Sequence, residues 1–174
     1  MKKLISVLLI PVVIAACNSN TGNAPAIAKS AGPALTMPFT PTYSTDFVLG
    51  SDSNSLAVLN SYKAWEDGNM DALKNTFADT ALFLFPNGYI FRGSNDSLMK
   101  MASKMRDSLS KVELKFSVWL PTHFNDKNAD WVSVWYTEID TYKTGKVDSA
   151  YFQDDNELKD GKIVYVDSKM RKLK

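Results

Sequence analysis

The spacing of apolar residues changes character several times along the chain. Behind Met1, Lys2 and Lys3 runs a nearly unbroken apolar stretch from Leu4 to Ile14, ending in Ala15, Ala16 and Cys17. From Asn18 to Gly50 no period is visible. From Ser51 the period is helical, with Leu56, Leu59, Tyr62 and Trp65 recurring behind Ser51, Asp52 and Ser53, all good N-cap types. Gly68 predicts the end of this helix, because glycine takes the left-handed conformation that closes helices. Asn69 can cap a second helix, in which Met70, Leu73 and Phe77 fall at i, i+3 and i+7. Residues 81 to 92 alternate around Pro86-Asn87-Gly88, and Asn-Gly between β-prone residues predicts a hairpin. Ser94 caps a third helix with Leu98, Met101, Met105 and Leu109 in one stripe, where methionine reads as core filler.

Beyond Lys111 the period falls to two, which turns the chain from helices to a sheet. Val112, Leu114, Phe116, Val118 and Leu120 alternate with Lys111, Glu113, Lys115, Ser117 and Trp119, so one apolar face is expected. Pro121 to Asp126 reads as a loop holding the only histidine, His123. Residues 131 to 142 are strand-like on both faces. Trp131, Ser133, Trp135, Thr137 and Ile139 share one, and Val132, Val134, Tyr136, Glu138 and Asp140 the other. Turns at Thr144-Gly145-Lys146 and Lys159-Asp160-Gly161 set off strands over about 147–158 and 162–172. The order helix, helix, hairpin, helix and four strands predicts an α+β domain. Three N-terminal helices should pack on one side of a strongly bent, mostly antiparallel sheet.

Composition narrows the function classes. The chain has 174 residues, 45% hydrophobic and 22% charged, enough for one domain with a tail. Twenty basic against 19 acidic side chains give a net charge of +1, too little to hold nucleic acid. One Cys and one His exclude a disulfide framework and leave no zinc site. With no glycine-rich phosphate loop or metal-ligand cluster, neither a cofactor nor a metal is expected.

The first 16 residues read as a signal peptide: a charged start, an apolar centre too short to span a bilayer, and small residues before the cut. Ile14-Ala15-Ala16-Cys17 resembles a bacterial lipobox, which implies a lipidated Cys17 and a membrane anchor. Two or three acyl chains on one cysteine hold a protein stably where a single chain does not. Asn18 rather than aspartate after that cysteine points to the outer membrane, with the domain in the cell envelope facing the periplasm. Residues 17–50 are rich in Ala, Thr, Ser and Asn, carry prolines at 25, 33, 38 and 41, and read as a flexible tether. Phe39, Tyr43, Phe47, Val48 and Leu49 at its end either pack along the domain or form a partner-binding segment. The domain itself is placed at residues 51–174.

The stretch Tyr62-Lys63-Ala64-Trp65-Glu66-Asp67-Gly68-Asn69-Met70-Asp71-Ala72-Leu73, followed by Phe77-Ala78-Asp79-Thr80-Ala81, Pro86-Asn87-Gly88 and Phe91-Arg92-Gly93, resembles the nuclear transport factor 2-like superfamily. The nearest branches are the SnoaL-like and ketosteroid-isomerase-like ones. The resemblance covers nearly all of residues 51 to 174 and implies a cone, in which helices cap a curled sheet around an apolar pocket. In the isomerase branch a helix-one tyrosine and a protonated late-strand aspartate make an oxyanion hole, and an aspartate before a proline moves the proton. Those positions correspond here to Ser61, to Asp154 (or Asp155, with one gap) and to Phe85. Phe85 cannot take a proton, so the steroid-isomerase mechanism is not expected.

The expected function is therefore binding of a small apolar or amphipathic ligand by Ser61, Trp65, Phe85, Trp131, Trp135 and Asp154. An enzyme using Asp154 or Asp155 for proton transfer or hydration is one alternative, and a homodimerising or partner-binding module is another. The two aspartates also have a plain role open to them, solvating a strand end with Asn156. Trp131 and Trp135 line the pocket if their face points inward, mark a dimer surface if outward, or simply fill the core.

Overall fold

The computed structural model describes residues 37–173. The signal-peptide, Cys17 and early tether readings lie outside these residues. Ten elements follow in chain order: β1 (Phe47–Leu49), α1 (Asp52–Asp67), α2 (Met70–Thr76), β2 (Phe77–Leu84), β3 (Ile90–Ser94), α3 (Asn95–Arg106), β4 (Leu109–Phe124), β5 (Ala129–Tyr142), β6 (Val147–Lys159) and β7 (Lys162–Lys172). They form one seven-stranded sheet in the order β1-β4-β5-β6-β7-β2-β3. Every pairing is antiparallel except β2 with β7. This is an α+β, mostly antiparallel sheet with its helices in the N-terminal half.

The caps are where the sequence puts them. Ser51 accepts from the Ser53 amide, Asn69 from Ala72 and Ser94 from Ser97, each satisfying a free amide at a helix start. Gly68 closes α1 at φ 69°, and its amide donates back to Ala64 and Trp65. Arg106 then ties the C-terminus of α1 to β4, donating to the carbonyls of Trp65, Glu66 and Leu109 at 3.1–3.3 Å. Glu66 returns the link by accepting the Leu114 amide at 2.9 Å.

Several sequence expectations shift by a residue or two, each for a physical reason. The most buried positions of α1 are Ser55, Val58, Ser61 and Ala64, while Leu56 is 60% exposed. Small residues on that row let the helix approach the sheet closely, so Tyr62 and Trp65 flank the contact instead of centring it. Phe77 opens β2 instead of closing α2. In α3 the buried residues are Asn95, Leu98 and Met99, Met105 is half-exposed, and Leu109 belongs to β4.

Register shifts at Ser110 and Ser117 break the apolar alternation expected along β4. Phe116 pairs with Tyr136, but Val118 already pairs with Trp135, so Val118 and Leu120 turn to the outer face and are 49% and 40% exposed. β4 also continues through the segment read as a loop. His123 is a strand residue whose Nδ1 lies 2.8 Å from Asp130 Oδ1.

The domain starts earlier than residue 51. β1 pairs with the end of β4, Phe47 opposite Phe124, and Tyr43 packs edge-on against Phe124 and Trp131 at 5.0 and 5.8 Å. Gly50 lets the chain turn from β1 into α1, because a Cβ there would meet the Thr122 backbone at 3.0 Å. The last residues assigned to the tether thus pack along the domain.

The core lies between the helices and the concave face of the sheet, built on Val58, Leu73, Leu98, Val132, Val134, Ile163 and Val166. Val58, Val132 and Val134 have no exposed surface. Burying such side chains contributes about 1.5–3 kcal/mol each.

Candidate functional site

Between α1, α3 and the inner faces of β2, β5, β6 and β7 lies a cavity of about 540 Å³ with a mainly apolar wall. Its size is that of a small-molecule site. Phe83 and Phe85 stack at 4.3 Å on one side, Met99, Met101 and Met105 of α3 supply another, and Phe152 lies stacked on Tyr136 at 5.2 Å. The methionines read as core filler are therefore cavity wall. Such flexible, polarisable side chains suit an irregular ligand surface.

Two polar centres interrupt the apolar wall. At the first, Asp154 is only 3% exposed, and its Oδ2 accepts the hydroxyls of Tyr62 at 2.7 Å and Tyr136 at 2.9 Å. The two tyrosine rings meet at 5.0 Å, one carried by α1 and the other by β5. Burial raises the Asp154 carboxyl above the ordinary aspartate range, with Ser168 and the two tyrosine hydroxyls opposing the shift. Ser168 stands opposite Asp154 on β7, and Asp154 Oδ1 is buried with no hydrogen bond among the described residues. Burial, then the Asp154 carboxyl beside them, pushes both phenols well above their usual range.

At the second centre, Trp65 Nε1 donates to Glu138 Oε1 at 3.0 Å. Burial and the nearby Asp140 push Glu138 up to about 8. Asp140 is itself raised by burial, with contact to Glu138 and the charge of Arg106 opposing the shift, and its Oδ1 is buried without a protein donor. Glu138 and Asp140 follow Tyr136 along one face of β5, so the polar groups form a row beside the apolar wall. A carboxyl that titrates near neutrality can exchange a proton with a bound molecule, and one that stays neutral can donate a hydrogen bond to it.

Of the residues singled out from the sequence, Ser61, Trp65, Phe85 and Asp154 all border this cavity. Ser61 does so with its hydroxyl already committed to the Val58 carbonyl at 2.7 Å. The helix-one hydroxyl that reaches the aspartate comes from the next residue, Tyr62. Trp131, Trp135 and Asp155 are corrections, because β5 and β6 turn the other face inward: Val132, Val134 and Tyr136 are buried, while Trp131 packs against Tyr43 and Tyr165 on the outer face. Trp135 shares that outer face and is not part of the cavity wall. Asp155 points the same way, accepting Lys169 Nζ at 2.9 Å.

Tyr62, Tyr136, Glu138 and Asp140 were not anticipated as site residues. The one available signal was the run Val132, Val134, Tyr136, which is more consistently apolar than the tryptophan face with its Ser133 and Thr137. The two acids continuing that run obscured it. Among the described residues no three His, Cys, Asp or Glu side chains are placed to hold a metal ion.

Compared by sequence, the chain matches no family model and no curated protein. Compared by structure, it has the nuclear transport factor 2-like fold shared by SnoaL-like and ketosteroid-isomerase-like proteins. An LEH-like epoxide hydrolase of M. tuberculosis superposes with a TM-score of 0.59 at 13% identity, over 70% of this chain and 84% of that one. A protein of unknown function with this fold from an Exiguobacterium species gives 0.56 at 17%, over 66% and 98%. A candidate polyketide cyclase from Xanthomonas campestris gives 0.55 at 18%, over 68% and 90%. At these identities the likeness defines the fold.

Proposed function

We propose that this is a lipid-anchored envelope protein whose domain binds a small, largely apolar molecule carrying one or more polar groups. The observation that carries the pocket reading is the 540 Å³ cavity with its apolar wall and two buried polar centres. Asp154, held by Tyr62 and Tyr136, is the fixed polar anchor, and Phe83, Phe85, Met99 and Phe152 take the apolar body. The fold is one on which epoxide hydrolase-like and cyclase-like proteins are built, which is compatible with a ligand of this kind.

Native mass spectrometry of the protein isolated from cells, followed by denaturing extraction, tests the reading. A stoichiometric small molecule supports it, whereas an empty, stable dimer favours an interaction module. For the anchor, Cys17→Ala should abolish acyl labelling and release the protein from the membrane fraction. Persistence of both in the variant would defeat that part.

A second reading, proton-transfer chemistry on the bound molecule, is favoured by Glu138, whose value of about 8 suits a group that gains and loses a proton near neutrality. In that case Glu138→Gln should abolish turnover with ligand affinity retained. Asp155 has no part in it, since its carboxylate faces away from the cavity toward Lys169.

A further inference from the structure

Among the described residues, the cavity wall contains three carboxyl groups, Glu138, Asp140 and Asp154, and not one Lys, Arg or His side chain. Buried carboxyl groups are normally paired, yet here Asp154 is 3% exposed with Oδ1 unpartnered, and Asp140 Oδ1 is buried and unpartnered too. The nearby cation, Arg106, donates to three backbone carbonyls and is not part of the wall. Apart from the proton that Glu138 can share with Asp140, the site is richer in acceptors than in donors. An ammonium group is the complement, with three N–H donors and no acceptor. Eight aromatic side chains also border the cavity, and aromatic faces attract cations, most strongly where water is excluded.

Resting on the reading of this cavity as a ligand pocket, we propose that its ligand is an amphipathic cation: an amine whose ammonium sits at Glu138 and Asp140 and whose apolar body lies against Phe83, Phe85, Met99 and Phe152. The phenol–aspartate cluster closes the far end of the polar row. Glu138 has Asp140 and Tyr136 on its own strand, Asp154 from β6, Tyr62 and Trp65 from α1 and the apolar Leu114 from β4 around it, while Asp148 of β6, Val112 of β4 and Arg106 of α3 lie beside Asp140. The surroundings are acidic, so an ammonium competes with a proton for Glu138. Amine affinity therefore rises with pH through about 8, and binding near neutrality releases protons.

Isothermal titration of the mature polypeptide from residue 17, carrying Cys17→Ser, tests this with three probes of one shape: 1-adamantanamine, 1-adamantanol and 1-adamantanecarboxylate. The amine should bind about tenfold or more tighter than the alcohol, with the carboxylate weakest. Its affinity should climb severalfold from about pH 6.5 to about pH 8.5, with proton release seen as a dependence of the heat on buffer. Glu138→Gln should lose about tenfold for the amine and far less for the alcohol, so that the amine's preference over the alcohol shrinks. If that variant does not fold, Asp140→Asn takes its place, and the wild-type ranking decides without either. Alcohol or carboxylate binding as tightly as the amine overturns the proposal and leaves the pocket reading standing. Binding of none of the three overturns both.

Discussion

Asp154 and Asp155 are adjacent in β6 and chemically identical, yet they live in opposite surroundings. Asp154 is nearly fully buried, accepts two tyrosine hydroxyls, and is pushed up by loss of water. Asp155 lies on the outer face, where it accepts from Lys169, a half-exposed side chain shared with Asp167. Successive strand residues point to opposite faces, so one step along the chain separates a cavity group from a solvated ion pair. The same division runs along β5, with Val134 and Tyr136 inside and Trp131 and Trp135 outside. The difference teaches that residue type marks a candidate, while the face that the helices cover decides its chemistry.

The sharpest way to break this comparison is to remove both carboxylates in turn. Asp154→Ala leaves two buried phenolic hydroxyls without their acceptor, and urea unfolding should show a loss of about 3 kcal/mol. A loss no larger than that of Asp155→Ala would mean that the inner and outer faces do not differ as described.

Next in size comes Glu138. Its folded value of about 8 lies above the ordinary 4.5, so its contribution to stability is complete below about pH 4.5 and is lost as pH rises through about 8. Glu138→Gln cannot ionise and escapes that loss. Relative to wild type, the variant should gain on the order of 2 kcal/mol between about pH 5 and pH 9, a figure reduced for the partial exposure of the site. Parallel pH–stability curves would show that Glu138 is not desolvated.

Tyr62→Phe should cost about 1 kcal/mol, because Tyr136 still serves the same carboxylate oxygen. Ser61→Ala, one residue away, removes only a bond to the helix's own Val58 carbonyl and should cost less. Equal costs would undo the assignment of Tyr62 as the helix-one partner of Asp154. A small effect belongs to Asp155→Ala, within about 1 kcal/mol, since Lys169 is half-exposed and keeps Asp167, and what is lost besides is one neutral hydrogen bond from Ser133.

Much of the fold was legible because its signals are local. Ser51, Asn69 and Ser94 cap helices through their own side chains, and Gly68, Gly88, Gly145 and Gly161 occupy positive φ at turns expected from neighbouring residues. Of the residues singled out from the sequence, Ser61, Trp65, Phe85 and Asp154 lie on the cavity wall. The partners that give Asp154 its character were not legible. Tyr62 and Tyr136 lie 92 and 18 residues from it, and Glu138 meets Trp65 across 73 residues. No local pattern encodes such contacts.

The sequence by itself determined the order of helices and strands and where each helix starts, because capping, turn chemistry and side-chain period depend on residues a few positions apart. Only the tertiary structure decided which face of β5 and β6 is covered. A strand presents two faces with equal ease, and the helices choose between them by how much apolar surface each buries and how closely they can approach. One inserted residue, as at Ser117 in β4, reverses the sides without disturbing the local pattern that predicts the strand. That choice places Trp131, Trp135 and Asp155 outside and gathers Tyr62, Tyr136, Glu138, Asp140 and Asp154 around one cavity.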